Sequence, residues 1–145
     1  MLISTKGRYA LRVMIDLAEH KNMGYIPMKE VAQRQNISLK YLERILPALS
    51  QNKLIEGVHG KGGGYKLTKE PEEYRVGDIL RLLEGDLAPV ACLKCGAEEC
   101  AIKDKCRTQK MWNELNSIIN NYLDGVTVAD LMLDDSILTV KDNCC

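Results

Sequence analysis

The chain has 145 residues, 46% of them apolar, which fits one domain of ordinary size, or one small domain with an extension, and a core that needs no disulfides. Its 20 basic and 20 acidic side chains are unevenly distributed, because residues 1–69 carry a net charge of +7 and residues 70–145 a net charge of −7. Charged side chains interrupt the first twenty residues, which excludes a signal peptide or membrane span there and predicts a cytoplasmic protein.

The first half of the chain has the pattern of a helix-turn-helix. Apolar residues at helical spacing predict an amphipathic helix over 4–20 and a short helix over about 28–35. A tight turn over 35–37 leads to another helix after Ser38, a good N-cap, and we expect Pro47 to bend that helix near residue 46. Two short helices joined by three or four residues indicate a helix-turn-helix.

A glycine-rich tip joins two predicted strands directly after these helices. Segments 54–59 and 65–68 flank Gly60-Lys61-Gly62-Gly63-Gly64, a pattern typical of a β-hairpin, and a hairpin at this position is a wing. A phosphate-binding loop is the alternative, but Lys61 is followed by neither Ser nor Thr, and no helix begins there. The sequence therefore favours a winged helix-turn-helix.

One side of the helix that begins after Ser38, the second helix of the helix-turn-helix, carries side chains suited to DNA, and so does the wing. In a helix-turn-helix this helix lies in the major groove, where Arg44 can donate to guanine and Glu43 can accept from cytosine. A slim wing tip fits the minor groove. An ordinary solvated helix face is the alternative, but its combination with the wing favours DNA binding. The expected DNA contacts are Ser38, Lys40, Tyr41, Glu43, Arg44, His59 and Lys61.

Helices are also predicted after the wing. A short helix covers 76–84, and a long one, which Thr108 can cap, carries a wide apolar stripe and ends near Gly125. Thr127 and Asp130 have the spacing of a capping box for a last short helix. The stripe predicts packing against a second copy in a two-fold homodimer, as a palindromic operator requires, and a purely intramolecular role is the alternative.

Four of the six cysteines are bunched ahead of the long helix. Their spacing is C-x2-C-x4-C-x5-C, which allows three or four thiolates to bind one metal centre: Cys92, Cys95, Cys100 and Cys106. In a reducing compartment such cysteines are more often metal ligands or redox-active thiols than disulfides. The spacing leaves zinc and an iron–sulfur cluster open. Cys144 and Cys145 end the chain, and no role is assigned to them.

Three stretches of the sequence resemble the Rrf2 family of winged-helix regulators, the group that includes IscR, NsrR and CymR. They are residues 4–10, 37–43 and 60–65, and the likeness extends to about residue 133. The resemblance implies DNA binding as a homodimer, with the recognition helix in the major groove and the wing at the minor groove.

The cluster-binding branch of this family, similar to IscR, has cysteines ahead of a Thr-x-x-x-Trp segment, here Thr108 to Trp112. The resemblance implies an iron–sulfur cluster, with [2Fe–2S] favoured and [4Fe–4S] or zinc as alternatives, and with three ligands: Cys92, Cys100 and Cys106. IscR-like proteins can use a histidine three residues after the last cysteine, but Gln109 stands there, so Cys95 becomes a candidate fourth ligand. The branch resembling CymR lacks these cysteines and takes its signal from a partner protein.

We therefore expect a mainly α protein in four parts: a winged helix-turn-helix domain at 1–84, a cysteine-rich cluster-binding loop at 85–107, a dimerisation helix with a short following helix at 108–135, and a tail at 136–145. Its expected function is transcription regulation, as a repressor of a palindromic operator that senses cluster or redox status. No enzymatic constellation is visible. A small zinc- or cluster-carrying electron-transfer or scaffold protein without DNA binding is the alternative.

Overall fold

The structure, a computed structural model, describes residues 2–132, and this part of the chain is mainly helical with one two-stranded sheet. Short 3-10 turns lie between some of the elements. The predicted tail at 136–145, with Cys144 and Cys145, lies outside the described residues. The helices and strands are α1 (Thr5–Glu19), α2 (Met28–Gln35), α3 (Leu39–Gln51), β1 (Ile55–Val58), β2 (Gly64–Leu67), α4 (Val76–Glu84), α5 (Gln109–Gly125) and α6 (Val128–Met132).

Two predicted helix caps are present. Ser38 accepts a hydrogen bond from the Tyr41 backbone N–H at 3.2 Å, which fixes the start of α3. The Asp130 carboxylate accepts from the Thr127 N–H at 2.8 Å while the Thr127 hydroxyl accepts from the Asp130 N–H at 3.2 Å, so the capping box of α6 is formed. Helix α3 continues through Pro47 as one element, and the bend expected there stays a prediction.

The main core lies between α1 and the elements that follow it. Helix α1 packs against α2, α4, α6 and β2, and its apolar residues meet those of α3. A separate, smaller apolar cluster joins α4 to α5 through Val76, Leu80 and Leu123. The long helix α5 is therefore attached to the winged-helix part through α4. Fully buried side chains of the main core include Val13, Met14, Leu17, Leu42, Ile45, Leu49 and Ile55.

The wing is fixed to the segment that precedes α2. Strands β1 and β2 are antiparallel, with Ile55 opposite Leu67 and Val58 opposite Gly64. Ile26 adds a third segment to this pair, because it exchanges two backbone hydrogen bonds of 2.9 Å with Tyr65. A Cβ at Gly64 would collide with the Ile26 carbonyl, so this close approach requires glycine.

One charged side chain lies inside the main core. Asp16 of α1 is only 1% exposed, and it accepts hydrogen bonds from Arg34 at 2.7 and 3.0 Å and from the Gln35 amide at 2.9 Å. Burial alone would raise the pKa of Asp16, but the hydrogen bonds from Arg34 and Gln35 outweigh it and hold that pKa below its usual value. The carboxylate therefore stays charged and ties α2 to α1.

Replacing Asp16 with Asn should lower the free energy of unfolding by about 2–3 kcal/mol, because Arg34 loses its anionic partner while the new amide stays buried. Urea denaturation measures this. Glu30→Gln is the matched control, since the Glu30 side chain is 47% exposed and pairs with the same Arg34 at 3.3 Å. An exposed pair of this kind contributes about 0–1 kcal/mol. Equal losses in the two variants would contradict a special role for Asp16.

The stabilisation from Asp16 should also depend on pH. The pKa of Asp16 is lowered in the folded state, so its contribution is complete above the unfolded pKa of about 3.9 and is lost as the pH falls through the folded value. The stability difference between the wild type and Asp16→Asn should therefore be present at neutral pH and shrink on acidification below about pH 4.

Candidate functional site

Helix α3 presents its polar side to solvent. The charged side chains predicted to contact DNA from this helix, Lys40, Glu43 and Arg44, are all exposed, as is the capping Ser38. Among residues 2–132, none of these three charged side chains has a hydrogen bond or an ion pair. Their charges are therefore available to an outside partner.

The predicted contact residue Tyr41 is half-buried on the same helix. Its ring meets that of Tyr9 edge to face, with the ring centres 5.3 Å apart. The guanidinium of Arg12 lies over the Tyr9 ring, 5.2 Å from the ring centre. The same guanidinium donates to Gln35, to the side-chain oxygen at 3.2 Å and also to the backbone carbonyl. These contacts hold the end of α2 and the start of α3 against α1.

The turn between α2 and α3 is set by a single left-handed residue. Asn36 ends α2 with φ 51° and ψ 48°, a conformation that Asn tolerates better than most residues. The next residue, Ile37, is buried in the main core, which anchors the turn. The conformation of Asn36 and the burial of Ile37 therefore together fix the angle between α2 and α3.

The wing tip carries the other two predicted DNA contacts, His59 and Lys61, and both are exposed. Gly60 and Gly62 have φ values of 96° and 78°, which favour glycine, so the tip is narrow backbone with few side chains. Lys66 at the base of the wing is different, because it pairs with Glu56 on the neighbouring strand at 3.0 Å. The free charges of the hairpin are thus concentrated at its tip.

The cysteines divide between two clefts. Three thiols line a cleft of about 440 Å³, together with Glu98, Gln109 and Trp112, and we call it the cysteine cleft: Cys92, Cys100 and Cys106. Cys95 instead lines a neighbouring cleft beside Arg81 and Asn120. The structure therefore places three of the four predicted ligands on the walls of one cleft. Within the described residues no three such side chains converge closely enough to hold a metal ion, so binding would have to draw the thiols together.

Hydrogen bonds fix both ends of the cysteine-containing loop. The Asp86 carboxylate accepts from the backbone N–H groups of Cys95 and Ala88, both at 2.6 Å, and these bonds lower the pKa of Asp86. At the other end, the Thr108 hydroxyl lies 3.5 Å from the Cys106 sulfur. That contact and backbone N–H groups lower the pKa of Cys106, which favours its thiolate.

Thr108 differs from its predicted role. It stands at the N-cap position of α5, but its hydroxyl makes no capping hydrogen bond, so the prediction that it caps this helix is wrong. Its backbone is in a helical conformation, in which the side chain does not reach the first free N–H groups. The hydroxyl faces the Cys106 sulfur instead.

Helix α5 has two different sides. On one side, Arg81 of α4 donates to Asn120 at 2.7 Å and pairs with Asp124 at 2.8 Å, which joins the two helices. On another side, four large apolar residues spaced by four, three and four positions are 37% to 64% exposed. They form an apolar stripe that the described chain leaves uncovered: Met111, Leu115, Ile118 and Tyr122.

The comparisons with known proteins agree with this geometry. The profile of the family Rrf2, described as an iron-dependent transcriptional regulator, matches residues 3–134. The chain is 36% identical over 142 residues to the HTH-type transcriptional regulator IscR of Aliivibrio salmonicida, covering 98% of this chain and 83% of that one. IscR of Serratia proteamaculans is also 36% identical, with 98% and 85% covered.

Solved structures show the same fold. CymR, the global cysteine regulator of B. subtilis, superposes with a TM-score of 0.78 at 35% identity, covering 91% of this chain and 96% of that one. IscR of T. potens gives a TM-score of 0.71 at 35% identity, with 91% and 86% covered. These similarities confirm the predicted winged-helix fold class. The relatives are transcription regulators, which also confirms the prediction of no enzymatic activity.

No helix in the described range, residues 2–132, is long and apolar enough to cross a membrane.

Proposed function

This chain belongs to the Rrf2 family and is a helix-turn-helix transcriptional regulator, and from that premise we propose that it is a cytoplasmic homodimeric repressor controlled by an iron–sulfur cluster. The observation that carries the sensing part is the cysteine cleft, where three thiols share one opening of about 440 Å³. The alternative of an electron-transfer or scaffold protein without DNA binding is disfavoured, because the relatives are transcription regulators.

The donors in the cysteine cleft suit an iron–sulfur cluster better than other metal centres. Thiolates are soft ligands, which select zinc or iron–sulfur over Mg²⁺ or Ca²⁺. A structural zinc site uses four nitrogen or sulfur donors, whereas this cleft offers three thiols, and its other polar side chains offer mainly oxygen. The family description as iron-dependent also favours iron. We propose that Cys92, Cys100 and Cys106 hold a [2Fe–2S] cluster, which supplies a redox-sensitive group.

The DNA-binding part of the proposal rests on charge and placement. The exposed residues of α3 and the wing tip lie in the basic half of the chain, where phosphate attraction is strongest. We propose that Glu43 and Arg44 read bases in the major groove, that Ser38, Lys40 and Tyr41 contact the backbone, and that two residues of the wing enter the minor groove: His59 and Lys61. A two-fold dimer would read a palindromic operator in this way.

The cluster-binding loop would act on the DNA-binding domain through the elements that lie between them along the chain. We divide it into a DNA-binding domain (1–84), a cluster-binding loop (85–107), a dimerisation region (108–135) and a tail (136–145). Cluster binding would draw the loop together at the start of α5, and α5 is joined to α4 through Arg81. A movement of α5 would therefore change the spacing of the two recognition helices and shift the population of DNA-binding dimers.

Arg44→Ala should weaken binding to the operator by about 1–3 kcal/mol and reduce the preference for operator over random DNA, because a two-pronged contact to guanine is lost. Fluorescence anisotropy at several salt concentrations measures this, with an operator duplex selected from a random pool and a scrambled duplex. Arg44→Lys is the matched control, since it keeps the charge but loses the planar fork, and it should recover binding to random DNA only. Equal weakening on both duplexes would make Arg44 a phosphate contact.

Ile118→Glu should dissociate the homodimer, because it places a carboxylate in the middle of the exposed apolar stripe of α5. A residue at the centre of such an interface typically contributes about 2 kcal/mol or more, which raises the dimer dissociation constant more than tenfold. Sedimentation equilibrium gives this constant. Ser117→Glu adds the same charge to an exposed position outside the stripe and should leave the dimer intact. A dimeric Ile118→Glu protein would rule out this interface.

Anaerobic reconstitution with ferrous iron and sulfide should give a coloured protein with iron and sulfide in equal amounts. Cys100→Ala should lose the visible absorption because it removes a ligand from the cysteine cleft. Cys95→Ala is the matched control and should keep the absorption, since Cys95 lines the neighbouring cleft. A colourless protein loaded with zinc would overturn the cluster while leaving DNA binding intact.

A further inference from the structure

We infer that the carboxylate of Glu98 supplies the fourth ligand of the cluster, so that three thiolates and one carboxylate hold it. This inference rests on the proposed function, because it completes the ligand set of the cluster proposed there.

The remaining thiol of the loop, Cys95, is held apart from the other three. Its backbone N–H donates to Asp86 at 2.6 Å, and the residue lines the neighbouring cleft beside Arg81. Leu93 lines both clefts and therefore lies between them. To reach the other thiols, Cys95 would have to leave the Asp86 carboxylate and pass this apolar side chain. A donor that already lines the cysteine cleft needs only the loop closure that draws the three thiols together.

Four side chains in the cysteine cleft offer an oxygen that could reach a metal, and three of them are poor candidates. The carboxylate of Glu99 is engaged, since it pairs with Lys103 at 3.0 Å. Gln109 and Asn113 offer neutral amides, which bind iron more weakly than an anionic group does. Glu98 lines the same cleft, and within residues 2–132 its carboxylate has neither a hydrogen bond nor an ion pair. It is the free anionic donor beside Cys100.

A carboxylate ligand would change how the cluster behaves. Carboxylates bind iron in proteins, but they are harder donors than thiolates and match the cluster iron less well. The iron held by Glu98 would therefore be the one from which a ligand is most easily displaced. Both Cys92 and Cys100 are exposed, so small oxidants and exchanging ligands have access to the site. A carboxylate ligand would therefore hold the cluster and also let it respond to oxidants and to exchanging ligands.

The test compares full-length variants after anaerobic reconstitution with ferrous iron and sulfide. The readouts are the electron paramagnetic resonance g-values of the dithionite-reduced cluster and the rate at which its visible absorption bleaches in air. Glu98→Gln should shift the g-values and bleach roughly tenfold faster or more, because it replaces the anionic donor by an amide. Glu98→Cys should shift the g-values towards those of a four-thiolate cluster and bleach more slowly than the wild type.

Three matched controls sharpen the result. Glu99→Gln removes the adjacent carboxylate, while Cys95→Ala and Gln109→Ala remove the competing donors, and all three should keep the wild-type g-values. Wild-type g-values and bleaching in Glu98→Gln, or a shift in any of these controls instead, would overturn the inference alone. A wild-type protein that assembles no cluster would overturn both the cluster in the proposed function and this ligand.

Discussion

The buried carboxylate of Asp16 fixes the orientation of the helix-turn-helix. A charge that is 1% exposed is costly to bury, and an apolar pair of similar volume would give comparable stability. What the ion pair adds is direction, because Arg34 and Gln35 must approach one carboxylate along defined hydrogen bonds. Helix α2 therefore has one angle and one register on α1. The left-handed turn at Asn36 passes that orientation on to α3.

Further contacts extend this constraint to the recognition helix. Arg12 holds Gln35, and Tyr9 packs on Tyr41, so α1 supports the end of α2 and the start of α3 at once. The exposed residues of α3 make none of these contacts. Helix α3 is thus positioned by one set of residues, and a different set forms its exposed surface. Arg44 and its neighbours can then serve recognition without carrying the fold.

Local features of the sequence predicted most elements, because their causes are local. A serine before an apolar run marks the start of α3, and a run of glycines marks the wing. Long-range contacts have no such local signature. Asp16 falls among the buried positions of α1, between Val13 and Leu17, and a charge on an apolar face is the one signal by which the sequence could have indicated a buried pair. Its partners on α2 could not be chosen from the sequence.

The cysteine site shows the same limit. Spacing alone allowed three or four of the thiols to reach one centre, since a loop of that length can close in many ways. The side on which Cys95 lies is decided by Asp86, a residue outside the cysteine spacing, whose carboxylate holds the Cys95 N–H. The role of Thr108 changed for a related reason, because its backbone conformation points the hydroxyl at Cys106 rather than at the helix N–H groups.

The proposed regulation requires a bound cluster to favour one conformation of the loop. A ligand that binds two states equally shifts neither, and reversing a 1:99 ratio takes roughly 10⁴-fold tighter binding to one of them. The thiols of the cysteine cleft share an opening without converging, so a cluster that draws them together would bind the closed loop far better than the open one. Gln109 of that cleft begins α5, whose far end is joined to α4 by Arg81. Closure at one end of α5 would thereby act on α4, which packs against α1 of the winged helix-turn-helix.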